Sequence, residues 1–195
     1  MNMKKHDDIK LHDYKLIIFD IDGTLVGKDH VLDPFTKEAL FRLREEGFPF
    51  TLATGKNLPS TKPLADELEI ELPLILTNGG MLQTRHEEML SKTTIPLDVT
   101  RQVIEICEVR GKDLVIYIDN GIYIKAMNEY SFPVLRNVIS GLSEIGEWEA
   151  IRDKLAGANK CLVVDSFVRE NLIEIGKVFE KALKGRADIL HASIS

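Results

Sequence analysis

Hydrophobic and polar positions change period several times along this chain, and each change marks the start of a new element. Residues 16–19, Leu-Ile-Ile-Phe, form an unbroken apolar run that ends on Asp20. A run without alternation predicts a buried central strand of a parallel sheet. Asp33-Pro34 supplies an N-cap and a first helical residue, Phe35, Ala39, Leu40 and Leu43 recur at helical spacing, and Gly47 is the stop. The spacing predicts a helix over 33–46. A strand over 49–54, a helix over about 58–69 and a strand over 73–77 follow. Pro59 and Pro63 lie in that second helix, and proline is tolerated in a first turn. The β-α-β-α-β alternation predicts a parallel sheet with right-handed crossovers. Residues 81–96 read as an antiparallel excursion about a polar turn at 84–88.

From Asp98 the pattern changes. Asp98 reads as the cap of a helix with Val99, Val103, Ile106 and Cys107 on one face and Gly111 at its end. Residues 114–118 and 122–124 flank Asn120-Gly121, a strong hairpin-turn signal. A helix over about 129–140, delayed or interrupted by Pro133, comes next, followed by a strand over 160–164. Leu172, Ile175, Val178, Phe179 and Ala182 then mark another helix, and Leu190, Ala192 and Ile194 share one face of a last strand. This mixture suits a second α/β unit. No internal repeat or low-complexity stretch is visible.

Composition bounds the reading. A chain of 195 residues, 44% hydrophobic and 29% charged, fits one globular domain or two small ones. No apolar run approaches the ~20 residues of a membrane span. Residues 1–13 are polar and lack the apolar core of a signal peptide, so a cytoplasmic protein without a membrane partner is expected. Cys107 and Cys161 sit in apolar periodic contexts, which predicts buried, reduced thiols. The net charge of −6 argues against nonspecific nucleic-acid binding.

The chemistry concentrates at Asp20-Ile21-Asp22-Gly23-Thr24. Two carboxylates at the carboxyl end of a buried strand are costly to desolvate unless a cation or substrate sits between them. Open parallel sheets place their ligands at this end. Gly23 permits a sharp turn, and Thr24 offers a hydroxyl and an N–H. These features point to phosphoryl transfer, with one carboxylate as nucleophile and the next as acid/base. An acidic protein that handles phosphate needs local positive charge, most simply a bound Mg²⁺. His86, Glu87 and Glu88 read as a solvated turn rather than metal ligands.

The segment 16–25 resembles the first motif of the haloacid dehalogenase superfamily of phosphohydrolases. Phe50-Thr51-Leu52-Ala53-Thr54-Gly55-Lys56 is similar to the second motif. Leu74-Ile75-Leu76-Thr77-Asn78-Gly79-Gly80 is similar to a strand and turn of the Cof-type branch, which carries a large α/β cap. The resemblance covers roughly the first 90 residues in order and spacing, and the rest is compatible with the cap. It implies an α/β fold: a Rossmann-like core with a parallel sheet over 1–90 and a cap over 91–195. It implies Asp20 as nucleophile, Asp22 as general acid/base, and both as ligands of Mg²⁺, Asp22 through its backbone carbonyl. Thr24, Thr54 and Gly55 would hold phosphate oxygens, and Lys56 and Asn78 would contact substrate. Lys56 stands where the branch has arginine; it keeps the charge and loses the bidentate fork. The expected substrate is a small phosphorylated metabolite, a monoester such as a sugar phosphate.

The superfamily's third-motif lysine and fourth-motif acidic loop have no counterpart here, so the resemblance implies only the N-terminal part of a core. Lys160 reads as a strand-edge residue of the cap, and neither Asp165 nor Asp188 lies in a Gly-Asp-rich loop. A partial core would expose the edge of the Asp20 strand to self-association or a partner chain. Two alternatives therefore stand beside hydrolysis: a catalytically incompetent chain that binds a ligand or partner, and phosphomutase-type transfer.

Overall fold

The computed structural model describes residues 14–27, 29–135, 141–165 and 169–190. The chain divides into two compact units, Met1–Gly55 with Lys62–Leu90, and Lys56–Thr61 with Ser91–Ser195. The architecture is α/β.

The first unit is built on one five-stranded sheet. Its elements are β1 (Ile17–Asp20), α1 (Pro34–Glu45), β2 (Phe50–Ala53), α2 (Leu58–Glu67, whose residues 58–61 group with the second unit), β3 (Leu74–Leu76), β4 (Met81–Gln83) and β5 (Met89–Lys92, whose residues 91–92 do likewise). The strands lie in the order β1-β2-β3-β4-β5. β1 and β3 both run parallel to β2, and β4 returns antiparallel to β3. Helix α1 begins and ends where its residues dictate. The Asp33 carboxylate accepts from the N–H groups of Phe35 (2.8 Å) and Thr36 (3.3 Å). At the other end Gly47 takes φ 88°, so Phe48 N–H reaches Leu43 O and Gly47 N–H reaches Arg44 O. That pair of bonds is the Schellman arrangement, which needs a left-handed residue.

The two faces of this sheet differ. Phe50, Leu52, Leu74, Leu76 and Met81 share one face and are buried. Phe19 packs edge-on to Phe50 at 5.8 Å, and the Arg44 guanidinium lies 4.9 Å over the Phe50 ring. On the alternate face Ile18, Asp20, Ala53, Ile75 and Leu82 are half or fully exposed. Thr51 is the exception; it is buried and its hydroxyl donates to Pro73 O at 2.8 Å. Among the described residues β1 borders the sheet, and Ile18 is 48% exposed. An apolar run reports the character of its own side chains and says nothing of which flank is paired.

The second unit contains α3 (Leu97–Val109), β6 (Asp113–Ile118), β7 (Gly121–Ile124), α4 (Ser131–Leu135), β8 (Leu142–Glu144), β9 (Ala158–Val164) and α5 (Arg169–Leu183). Its sheet runs β8-β7-β6-β9. β6 is antiparallel to both β7 and β9, and β8 is parallel to β7. Alternation along β6 divides the core. Leu114, Ile116 and Ile118 pack with Val99, Val103 and Cys107 of α3, Ile175, Phe179 and Leu183 of α5, and Trp148. Val115 and Tyr117 face the other way with Ile122, Ile124, Leu135 and Val164. Both cysteines are free, and burial pushes each thiol up to about 12.

Two local expectations are corrected here. Asp98 does not cap α3; the helix follows Pro96, whose carbonyl accepts Thr100 N–H at 2.9 Å, and Asp98 in the first turn pairs with Arg186. The hairpin turn is Asp119-Asn120, because Gly121 is already paired with Ile118 and Asp119 takes the left-handed φ of 52°. A Cβ at Gly121 would stand 2.8 Å from the Tyr123 ring, so a larger residue there would make that side chain shift. The described part of the 129–140 helix is the five-residue α4, and Ala192 and Ile194 lie outside the described residues. Lys160 sits on β9, which borders its sheet, with its ammonium 4.8 Å over the Tyr117 ring. No helix of the described residues is long and apolar enough to cross a membrane.

Candidate active site

The site residues of the first unit collect at the carboxyl ends of three adjacent strands. Asp20 is the last residue of β1, exposed and in register with Ala53 of β2. The chain then doubles back at once. Ile21 O accepts from the N–H groups of Thr24 (3.3 Å), Leu25 (2.9 Å) and Val26 (3.0 Å), and Gly23 N–H donates to Val26 O at 2.9 Å. Gly23 takes φ 77° to make this turn, a conformation that costs other residues about 1–2 kcal/mol. Buried Ile21, Leu25 and Val26 anchor the loop, and Val26 bridges to both Asp22 and Leu32. Asp22 is thereby left at the surface. Thr24 is exposed, and its N–H is used inside the turn, so its hydroxyl is the group it presents.

Beside Asp20, Thr54 follows the last residue of β2 and is buried. Its N–H donates to Ile75 O (2.9 Å) and its carbonyl accepts from Asn78 N–H (3.0 Å). Gly55 comes next. Past β3, Thr77, Asn78 and Gly79 take φ of 49°, 59° and 89° in succession. Asparagine and glycine adopt this region readily, but a β-branched threonine there is strained. Thr77 is also buried, and its hydroxyl has no hydrogen-bond partner.

Asp20, Asp22, Thr24, Thr54, Gly55 and Asn78 thus belong to one unit, whereas Lys56 groups with the second. His86 is exposed, with Nε2 3.7 Å from Glu71, as a solvated turn requires. Two residues without a signal in the sequence enter the site. Thr77 was masked by its ordinary place at the end of an apolar strand. His30 brings its Nδ1 to 3.3 Å from the Asp22 carboxylate, through a loop closure that no periodicity announces.

No group of three His, Cys, Asp or Glu side chains among the described residues could enclose a metal ion. Magnesium does not need one. It binds through one or two carboxylates and fills its shell with water and substrate phosphate. The exposed, hard-oxygen pair Asp20 and Asp22 fits that donor requirement.

A family model of haloacid dehalogenase-like hydrolases matches residues 17–193, and the chain belongs to that family. Among curated relatives, the HMP-PP phosphatase of Yersinia pseudotuberculosis (serotype I, strain IP32953) is 24% identical over 176 residues, covering 90% of this chain and 62% of that protein. The HMP-PP phosphatase of Shigella flexneri (serotype 5b, strain 8401) is 34% identical over 90 residues, 46% of this chain and 33% of the relative. The chain spans less than two thirds of the length of such relatives. Among solved structures, a haloacid dehalogenase-like hydrolase from Bacteroides thetaiotaomicron superposes with a TM-score of 0.79 at 24% identity, over 92% of this chain and 68% of that one. A sugar phosphatase of subclass IIB superposes with a TM-score of 0.64 at 23% identity, over 83% and 62%. These likenesses establish a shared fold.

Proposed function

We propose that this chain carries the nucleophile half of a magnesium-dependent phosphatase for small phosphate monoesters. The observation that carries the reading is the convergence of Asp20, Asp22, Thr54 and Asn78 at the carboxyl ends of β1, β2 and β3. The Asp20 carboxylate attacks phosphorus, and the bond to the ester oxygen breaks as Asp22 gives that oxygen a proton. Asp22, now a carboxylate, takes a proton from water, whose oxygen attacks the aspartyl-phosphate and returns Asp20 with inorganic phosphate. The Thr24 and Thr54 hydroxyls and the Gly55 N–H hold phosphoryl oxygens, and Asn78 contacts the substrate. Magnesium, held by Asp20 and by the backbone carbonyl of Asp22, would neutralise phosphate charge during transfer. The second unit, to which Lys56 belongs, is assigned to substrate selection. Support for a small phosphate ester comes from the relatives named HMP-PP phosphatase and the neighbour named sugar phosphatase.

The test is hydrolysis of 4-nitrophenyl phosphate by the full chain, with and without Mg²⁺, beside Asp20→Asn. Turnover that needs both Mg²⁺ and Asp20 supports the reading. Turnover that survives Asp20→Asn defeats it, and a folded chain with no turnover shows that these residues do not suffice.

A further inference from the structure

We infer that Lys160 and Tyr117 form an anion-binding site on the sheet of the second unit, built to take the oxygens of a phosphate or carboxylate group. The two residues are partners in register across β6 and β9, and the Lys160 ammonium lies 4.8 Å over the Tyr117 ring. They share the face that carries Val115, Leu162 and Val164, where a charged residue is out of keeping with its neighbours. The ladder breaks immediately beside them. Its register shifts between Tyr117 and Ile118, so Ala158 rather than Asn159 stands opposite Ile118 and joins the cluster against α3 and α5. Bulges of this kind re-aim side chains and are over-represented next to functional sites.

The lysine alone does not make the site; the Tyr117 hydroxyl is its second element. Tyr117 is 5% exposed, and among the described residues its hydroxyl makes no hydrogen bond. A phenol buried to that degree ordinarily finds a partner. Burial pushes it up to about 12, so at neutral pH it keeps its proton and can donate. Burial also pushes the Lys160 ammonium down to about 8, which leaves it charged at neutral pH at a cost that an anion would offset. A phosphate or carboxylate has at least two oxygens, enough to accept from the ammonium and the hydroxyl at once. Among the described residues β9 borders its sheet, so no further strand closes off the outer side of Lys160. The plain alternative is an inward-pointing lysine that only discourages edge pairing. That role uses the charge and leaves the Tyr117 hydroxyl without a purpose.

The site gives the second unit, assigned above to substrate selection, a preference for ligands that bear such a group. That assignment rests on the phosphatase reading, whereas the anion site does not. We would titrate the full chain at pH 7 with sodium phosphate, and separately with sodium acetate, at constant ionic strength, and follow the Lys160 side-chain and Tyr117 ring signals by NMR. Expected are shifts at both residues that saturate with at least one of the two anions, and the tighter anion tells phosphate from carboxylate recognition. Lys160→Met should abolish the saturable binding. Tyr117→Phe, which keeps the ring beneath the ammonium, should weaken it by about tenfold. Asp20→Asn should leave the shifts unchanged, since Asp20 belongs to the other unit. Shifts that rise without saturation for both anions would overturn the inference. So would binding that Lys160→Met or Tyr117→Phe leaves intact, or shifts that vanish in Asp20→Asn. A chain that binds the anion and shows no phosphatase turnover counts against the phosphatase reading alone.

Discussion

The backbone N–H of Asn78 donates to the carbonyl of Thr54 at 3.0 Å, so the loop after β3 is tied to the loop after β2. At that bond the chain enters three left-handed residues in succession, beginning at Thr77. The cost of Thr77 is double, because its hydroxyl is also buried without a partner. Thr77→Val keeps the shape and removes the orphaned hydroxyl. It should raise stability by about 1 kcal/mol, read from urea denaturation. A loss of stability would show that the hydroxyl is solvated or bonded in solution.

Asp20→Asn should remove turnover by at least about a thousandfold, as expected for loss of a covalent nucleophile. Asp20 is exposed at the end of its strand, so the same change should leave stability within about 0.5 kcal/mol. Circular dichroism melts of both proteins check that the two effects separate.

Lys160 provides a pH-dependent test of the second unit. Burial over the Tyr117 ring pushes its ammonium down to about 8 from an ordinary 10.5. Between those values the unfolded chain binds the proton and the folded chain does not, so this residue's contribution makes stability rise with pH. Below about pH 8 the folded protein bears the full cost of the half-buried charge. Lys160→Met should therefore be more stable than wild type at pH 7, by an amount on the order of 2 kcal/mol. The gap should narrow from pH 8 to 9. Cys107, Cys161 and Tyr117, whose protons are held more tightly in the fold, act in the opposite sense. They are common to both proteins and leave the difference as the measured quantity. A gap that stays constant with pH would place the ammonium in water.

Gly141→Ala tests the packing beneath the β6–β7 turn. Gly141 has φ 87°, and a Cβ there would stand 2.6 Å from the backbone oxygen of Asn120. The same oxygen accepts from the Asn57 side chain at 2.8 Å. Neither the conformation nor the neighbour can yield cheaply, so a destabilisation of about 2 kcal/mol or more is expected. A melting temperature equal to wild type would contradict this geometry.

What was legible in the sequence depended on how local its cause is. Helix α1 was readable because Asp33, Pro34 and Gly47 act through bonds to their own neighbours, and each is seen doing so. Strand β6 was readable because five apolar residues in succession need a core on both faces, and two clusters supply it. The sequence placed Asp20, Asp22, Thr54 and Asn78 at strand ends for the same local reasons. Non-local matters were not readable. The apolar run from Leu16 to Phe19 did not itself mark β1 as a border strand among the described residues; only the expectation of a partial core did. The turn at Asp119 was displaced by one residue from the Asn-Gly signal, because Gly121 is already paired with Ile118 in the ladder. His30 meets Asp22 only after Val26 and Leu32 have closed their bridge.

The assignment of residues 56–61 to the second unit has a consequence for how this protein can change. The polypeptide passes from one unit to the other three times, after Gly55, after Thr61 and after Leu90. A single recombination junction at residue 90 would transplant the later segment without Asn57, whose fully buried amide bonds to Asn120. Inheritance of the second unit is therefore tied to a six-residue stretch that begins two positions after Thr54, so the two units cannot be exchanged as separate cassettes through one junction.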